Sequence, residues 1–360
     1  MCKNKRLHAS VVIRNSKGEN MPKRRENKEE YFKGSLIAGA VGDALGYAVE
    51  FADYDDIIAR FGKQGITDFV LAKNGKAVVS DDTQMTIFTA RGILDSQRKP
   101  TSGFHPSDAV FTAYKDWLFT QNHDSSAYEG SDSIMKISSL YVRRAPGGTC
   151  LSALEEGERF SVSHPANTSK GCGSVMRLAP YALAYGGMQD RRAFLTEAAE
   201  IGAITHGHPL SHLSCAYLAS VISQVIYSDK DLHDVALDAL DELDLVDFAG
   251  KDVFCRLIDK AITLSSNDAC DVDNIGALGE GWIAEEAVAI ALYCSLRHKD
   301  DTMAGIIAAV NHSGDSDSTG AITGNILGAL NGVSSIPKKY LAEVEFKDLL
   351  ALLASLLAQI

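Results

Sequence analysis

The chain has 360 residues, 46% hydrophobic and 23% charged, a balance that excludes general disorder and bounds it to one large domain or two small ones. Eight prolines leave room for long helices, and a formal charge of −12 argues against a nucleic-acid partner for most of the chain. The charge is uneven: residues 1–33 hold ten Lys or Arg against four Glu, a local net of +6, so the rest carries −18. Residues 1 to about 30 lack sustained periodicity and read as a basic N-terminal extension, either a solvated tail or a functional arm. No secretory signal is expected, because Lys3, Lys5 and Arg6 precede only three apolar residues, Val11 to Ile13, where a signal takes roughly 7–15. No run of ~18 apolar residues suggests a membrane span. Seven scattered cysteines without a CxxC pair read as reduced, in a cytoplasmic protein.

The body, 31–360, reads as helix after helix. Apolar and small residues recur at helical spacing in 31–46, 82–97, 107–120, 172–185, 190–203, 208–228, 232–243, 250–264, 281–297, 302–310, 318–331 and 345–359. Ser107 and Asp231 stand where N-caps belong. The strand candidates are 66–71 and 77–79. With no βαβ rhythm and no internal repeat, the expected fold is all-α, a single compact helical domain behind the extension. Gly320, Gly324 and Gly328 fall four apart, as do Ala38, Gly42 and Gly46. Each helical glycine costs up to ~1 kcal/mol relative to alanine. Such stripes predict a very close helix contact that would draw the polar groups at these helix ends together.

Two acidic clusters each lead into a helix. Ser80-Asp81-Asp82-Thr83 reads as an acidic first turn favoured by the helix dipole, or as part of a cation site. Asn311 to Gly320 places Asp315 and Asp317 among hydroxyls between two apolar helices, reading as a helix cap or an oxygen-ligand loop. It begins like an EF-hand, but Ile326 stands where that loop needs Glu. Together the two Asp pairs favour a Mg²⁺ or Mn²⁺ site, and four carboxylates with two hydroxyls would suit two ions. Asp43, in an otherwise apolar helix, needs a partner as a cap, a support for the site or a ligand contact; Glu50 follows on the same element. Gly171-Cys172-Gly173-Ser174 opens the 172–185 segment with glycines that let backbone N–H groups approach an anion, although a plain turn explains a lone GxG as well. In His206-Gly207-His208-Pro209, with His212 one turn on, zinc lacks an HExxH motif or matching cysteines; a ligand contact for His206 or a cap role for His208 is favoured.

GAVGDALG at 39–46, SDDTQMT at 80–86, RRAPGGTC at 143–150, KGCGSVMR at 170–177, THGHP at 205–209 and NHSGDSDSTGAITGNILGAL at 311–330 occur in that order. Over about residues 31–335 the chain resembles the ADP-ribosylglycohydrolase family, which includes dinitrogenase-reductase-activating glycohydrolases and ADP-ribosylarginine hydrolases. The resemblance implies an all-helical fold with two Mg²⁺ or Mn²⁺ ions at the base of a cleft. By match to the family's motifs, Ser80, Asp81, Asp82, Asp315, Asp317 and Ser318 would be metal ligands, and Glu50 a mobile gating carboxylate. Gly171, Cys172, Gly173 and Ser174 would line the diphosphate of ADP-ribose, and His206 the proximal ribose. Cys172 stands where many relatives carry Asn.

The implied activity is hydrolysis at the anomeric carbon, which passes through a cation-like transition state, with Asp81, Asp82 or Asp317 activating the water. The expected substrate is an ADP-ribosyl group on protein arginine; related enzymes act on ADP-ribosyl-serine, O-acetyl-ADP-ribose or poly-ADP-ribose. Some bacterial members serve as immunity proteins against ADP-ribosyltransferase toxins. A second reading is therefore a blocking protein whose residues 1–30 enter the acidic cleft of such a toxin. A third, a metal-dependent nucleotide phosphatase, fits the motif order less well.

Overall fold

Helices Lys28–Gly46 and Ser316–Asn331 carry the two glycine stripes, and they pack against each other antiparallel. A methyl built on Gly42 would stand 2.0 Å from the carbonyl oxygen of Gly320, and one on Gly46 2.2 Å from that of Ser316. Methyls on Gly324 and Gly328 would lie 2.1 Å from the carbonyl oxygens of Ala38 and Gly34. The contact is backbone on backbone. Two side chains lock its register: Ser35 Oγ donates to Asn325 O at 2.9 Å, and Asn325 Nδ2 donates to Ser35 O at 2.9 Å.

The computed structural model describes residues 23–98 and 105–360. Around the glycine pair the described elements are α- and 3₁₀-helices joined by loops, and a single hydrophobic core runs through all the long helices. Helix Pro209–Tyr227 packs against Arg191–Ala203, Ala284–Arg297 and Ser316–Asn331. By length and composition this helix could cross a membrane, but 89% of its apolar window is buried inside the protein, the pattern of a core helix. Among the described residues no strand forms: Leu71 and Val344 each make one isolated bridge to Ala77. The expected strand pieces pair over a single residue, too little to build a ladder.

Several local expectations change. Residues 23–30, expected within the extension, are helical over Lys23–Glu26 and again from Lys28. Arg24 donates to Leu330 O and Val225 O, both at 3.0 Å, closing the C-terminal ends of two core helices. Residues 1–22, the remainder of the expected extension, lie outside the described residues. Ser107 does not cap its helix: Pro106–Asn122 starts one residue earlier, Asp108 accepts the His105 N–H at 2.9 Å, and the Ser107 N–H donates to Glu197. Asp231 caps as expected, accepting from His233 N at 3.1 Å. The segment 172–185 divides into a 3₁₀ turn, Cys172–Ser174, and helix Ala179–Tyr185, whose first turn Pro180 fits without a donor. Short helices at Tyr54–Phe61, Gly148–Glu155, Asp271–Leu278 and Lys338–Glu343 were not anticipated.

Replacing Gly42 or Gly324 by Val should cost about 3 kcal/mol or more, since no rotamer relieves a clash with backbone. Gly276 lies in a helix with nothing within 4 Å of its would-be methyl, so Gly276→Ala should be neutral or stabilise by roughly 0.5–1 kcal/mol. Thermal denaturation of the three variants checks the contrast; equal losses in all three would refute the backbone contact.

Candidate active site

The site begins with a cap supplied from another helix. Asp43, fully buried near the end of Lys28–Gly46, accepts hydrogen bonds from the Ser80 N–H at 2.8 Å, the Thr83 N–H at 3.0 Å and the Thr83 hydroxyl at 2.5 Å. The first turn of helix Asp81–Arg98 therefore has donors satisfied by Asp43, and its own aspartates are free to face elsewhere. Burial, then the charge of Asp317, push the Asp43 carboxyl up to about 7, against the hydrogen bonds it accepts.

Asp81 is anchored on its backbone side, its N–H donating to Arg144 O at 3.1 Å, while its Oδ2 accepts the Gly147 N–H at 3.2 Å. Arg144 is itself fixed, donating to Val79 O at 3.0 Å and pairing with Glu345. Between Arg144 and Gly147 the chain turns through Ala145 at φ 51°, a left-handed conformation costing ~1–2 kcal/mol for a residue with a Cβ. The Asp82 N–H donates to Ser80 Oγ at 3.2 Å, and Asp82 Oδ2 is buried without a partner.

The second acidic element is held from both sides. Asn311 accepts the Ile66 N–H at 2.7 Å and donates to Ile66 O at 2.9 Å. Gly314, at φ 134°, passes so close to Glu280 that a methyl would lie 2.1 Å from its carbonyl oxygen. The Asp315 N–H donates to that same carbonyl at 2.8 Å. Asp315 then caps Ser316–Asn331, accepting the Ser318 N–H at 3.2 Å, and Asp317 accepts the same N–H at 2.9 Å. The cap reading and the acidic-site reading of this loop thus hold together. Residues 280–284 also tie in the glycine-rich turn: Cys172 N donates to Trp282 O at 3.1 Å, and Ala284 N to Lys170 O at 2.8 Å.

These elements enclose a cavity of about 280 Å³. Glu50, Asp81, Asp82, Asp315, Asp317 and Ser318 line it together, with Gly171, Cys172, Gly173 and His206 also in its lining. Ser80 and Ser174 lie behind the surface, both fully buried; Ser174 Oγ donates to Gly171 O at 3.1 Å. The Cys172 and Ser174 amides are bound to protein carbonyls, and Gly171 N donates to Ser169 Oγ, so the Gly173 N–H is the amide of this turn left open.

Every carboxyl of the cluster is pushed above its usual range. Burial is the first cause for Asp81, Asp82, Asp315 and Asp317, and the charge of Asp317 is the second for the first three. Glu50 rises to about 10 through burial, then Asp317, Asp315 and Asp81, and its Oε2 has no partner. Among the described residues no Lys or Arg forms an ion pair with any of these groups, and no three His, Cys, Asp or Glu side chains are already arranged to hold a metal ion. Burial, then Asp315 and Asp82, push the Cys172 thiol up, so it stays protonated and is a poor nucleophile. His208 caps helix Pro209–Tyr227 through Nδ1 at 3.1 Å from Leu210 N, and His212 Nε2 meets His206 O at 3.1 Å. The cap role expected for His208 is thus present.

Sequence reasoning missed Phe51, Trp282 and the Ala145–Cys150 turn, all at the cavity. Phe51 and Trp282 stack at 6.0 Å between ring centroids and 15° between planes, and both are exposed. The signal for Trp282 was present in Gly279-Glu280-Gly281-Trp282, a glycine-bracketed turn opening a helix, and RRAPGGTC carried resemblance without a role.

The profile of the ADP-ribosylglycohydrolase family matches residues 24–360. The chain is 24% identical over 319 residues to the ADP-ribosyl-[dinitrogen reductase] glycohydrolase of Rhodospirillum rubrum, covering 87% of this chain and 90% of that one. It is 23% identical over 330 residues to the ADP-ribosylarginine hydrolase Tri1 of Serratia proteamaculans, covering 89% and 77%. Among solved structures, an ADP-ribosylglycohydrolase-related protein complex superposes with a TM-score of 0.61 at 19% identity, over 93% of this chain and 99% of that one. A match over that span, on an all-helical fold with the motifs in order, means that the chain belongs to the ADP-ribosylglycohydrolase family.

Proposed function

We propose that the protein hydrolyses the N-glycosidic bond between ADP-ribose and a protein arginine side chain, using a pair of Mg²⁺ or Mn²⁺ ions. The observation that carries this reading is the cavity itself: buried carboxylates without counter-charge, two of them with orphaned oxygens at Asp82 and Glu50, beside an open Gly173 amide and His206. Uncompensated buried carboxylates are costly, and an all-oxygen donor set suits hard divalent cations. Asp81, Asp82, Asp315, Asp317 and Ser318 would hold the ions at the cavity, with Ser80, behind the lining, the further ligand that the family's motif implies. Bound there, such ions supply Lewis acidity and fix the vicinal hydroxyls of the ribose.

The residues of the chain divide the remaining work. Asp81, Asp82 or Asp317 accepts a proton from the attacking water as its oxygen bonds to the anomeric carbon. The carbon–nitrogen bond breaks with its electron pair going to nitrogen, and the proton taken from water is passed on to the departing guanidine, so the water's OH ends on ribose and its H on arginine. Glu50, less enclosed than the aspartates, gates access. The Gly173 amide faces the diphosphate, with Gly171 giving it room, and His206 faces the proximal ribose. The free cysteines among the described residues fit a cytoplasmic setting. A toxin-blocking arm would be confined to residues 1–22, since residues 24 and 30 are bonded to the body.

Mono-ADP-ribosylated arginine and serine peptides, each assayed with and without excess chelator, test the reading. Release from arginine that stops with chelator is expected; serine-only release moves the assignment to the alternative linkage. Asp81→Ala and Asp317→Ala should each lower turnover on the order of 10³-fold, the scale of one lost electrostatic contact, without unfolding the protein. Full activity in either would sink the acidic-site mechanism.

The raised carboxyls also set a pH dependence. Each binds its proton more tightly folded than unfolded, so its contribution to stability is complete below about 4, the unfolded value, and is lost as pH rises through the folded values. Those are about 7 for Asp43 and about 10 for Glu50. Metal-free protein should therefore melt lower at pH 8 than at pH 5, and Mg²⁺ or Mn²⁺ should recover more at pH 8. Asp82→Asn should raise the melting temperature in chelator while abolishing turnover; a lower melting temperature would contradict the electrostatic account.

A further inference from the structure

Arg177 is fully buried, yet its partners include no carboxylate. One Nη donates to Thr205 Oγ1 at 2.6 Å; the other points at Met85 Sδ at 3.3 Å and Cys150 Sγ at 3.4 Å. The guanidinium carbon stands 4.4 Å from the Tyr114 ring centroid, and Nε is unpartnered. Burying a cation without a carboxylate partner is costly and calls for a reason. One contact leads to the cavity: Thr205 Oγ1 lies 2.8 Å from His206 Nδ1.

We propose that Arg177, acting through Thr205, is a positioning residue that holds His206 with its single ring proton on Nε2, aimed into the cavity as a hydrogen-bond donor. A guanidinium can only donate, so Thr205 Oγ1 accepts from Arg177 and has one proton to give. The acceptors in reach are His206 Nδ1 and the Cys150 thiol, a weak acceptor that already faces Arg177. The imidazole nitrogen wins that proton. A proton on Nδ1 would instead point its positive end at a hydroxyl polarised by a cation. Burial first, then Arg177 and His212, push His206 down to about 3, so the ring stays neutral. Nε2 is kept open by glycine: a methyl on Gly171 would stand 3.1 Å from Nε2, and one on Gly173 3.0 Å from Cε1. The resulting group is an uncharged donor suited to a hydroxyl or ether oxygen. What it meets depends on the ribose reading above; the tautomer does not.

The test is the nitrogen NMR of histidine-labelled protein without substrate, with His206 assigned from its missing signals in His206→Asn. The wild type should show His206 protonated on Nε2 and bare on Nδ1 at neutral pH. Thr205→Ser should preserve that pattern, whereas Thr205→Val and Arg177→Met should each shift it toward Nδ1–H. On an ADP-ribosylated substrate, Thr205→Val should raise KM roughly 10-fold, the scale of one hydrogen bond, with rescue by Thr205→Ser. Nδ1–H or imidazolium in the wild type overturns the proposal even if no variant folds. An unchanged tautomer in Arg177→Met overturns the role of Arg177. The expected tautomer in a protein that cleaves no ADP-ribosyl substrate leaves this inference standing and removes the hydrolase reading instead.

Discussion

Helices Lys28–Gly46 and Ser316–Asn331 meet glycine to carbonyl at every fourth residue, and that contact sets the position of both acidic elements of the cavity. Side chains at an ordinary helix interface can repack and let the helices slide. A backbone interface has no such slack, because any shift drives carbonyl oxygens into Cα atoms. The antiparallel register brings the end of the first helix, with Asp43 and Gly46, against the start of the second, with Ser316 and Asp317. It also sets the C-terminal dipole of one helix beside the N-terminal dipole of the other, a favourable arrangement. Asp43 then fixes the first turn of Asp81–Arg98 by hydrogen bonds. A packing feature thus becomes a chemical one in two steps.

The rest of the site is built on borrowed backbone. Glu280 O holds Asp315, Trp282 O holds Cys172, and Arg144 O holds Asp81. Each is a main-chain bond from a remote segment, so the aspartate side chains carry only part of the work of holding these elements. The consequence is a crowd of carboxyl groups where water cannot screen charge, and burial and mutual repulsion push each toward its protonated form. A fold maximised for stability would pair these groups with Lys or Arg. The lack of such pairing is the physical ground for proposing a cation guest.

Much of this was legible in the sequence, for identifiable reasons. The glycine stripes announced the central contact because glycine at helical spacing has a cost that only close approach repays. The two Asp pairs stood out because polarity between apolar helices needs a cause. The helices at Tyr54–Phe61 and Asp271–Leu278 were missed because eight residues give barely two turns of periodicity. The break between Cys172 and Ala179 was written in Pro180, which starts a helix more readily than it continues one. What no spacing encodes is the long-range main-chain bonding: nothing in Glu280 or Arg144 as residue types announces that their carbonyls will position an aspartate.

The groups around the cavity have opposite electrostatic character, and the origin of each lies outside the cavity lining. The carboxylates are crowded by the helix register, which forbids them to separate. His206 is kept uncharged by burial and by Arg177, a cation with no carboxylate partner. A neutral ring carries one N–H and one bare nitrogen, so on the proposal above it offers a ligand a donor without adding charge. The two features differ in origin: the acidic cluster is crowded by helix packing, and the imidazole in the cavity lining is kept neutral by burial beside a buried cation.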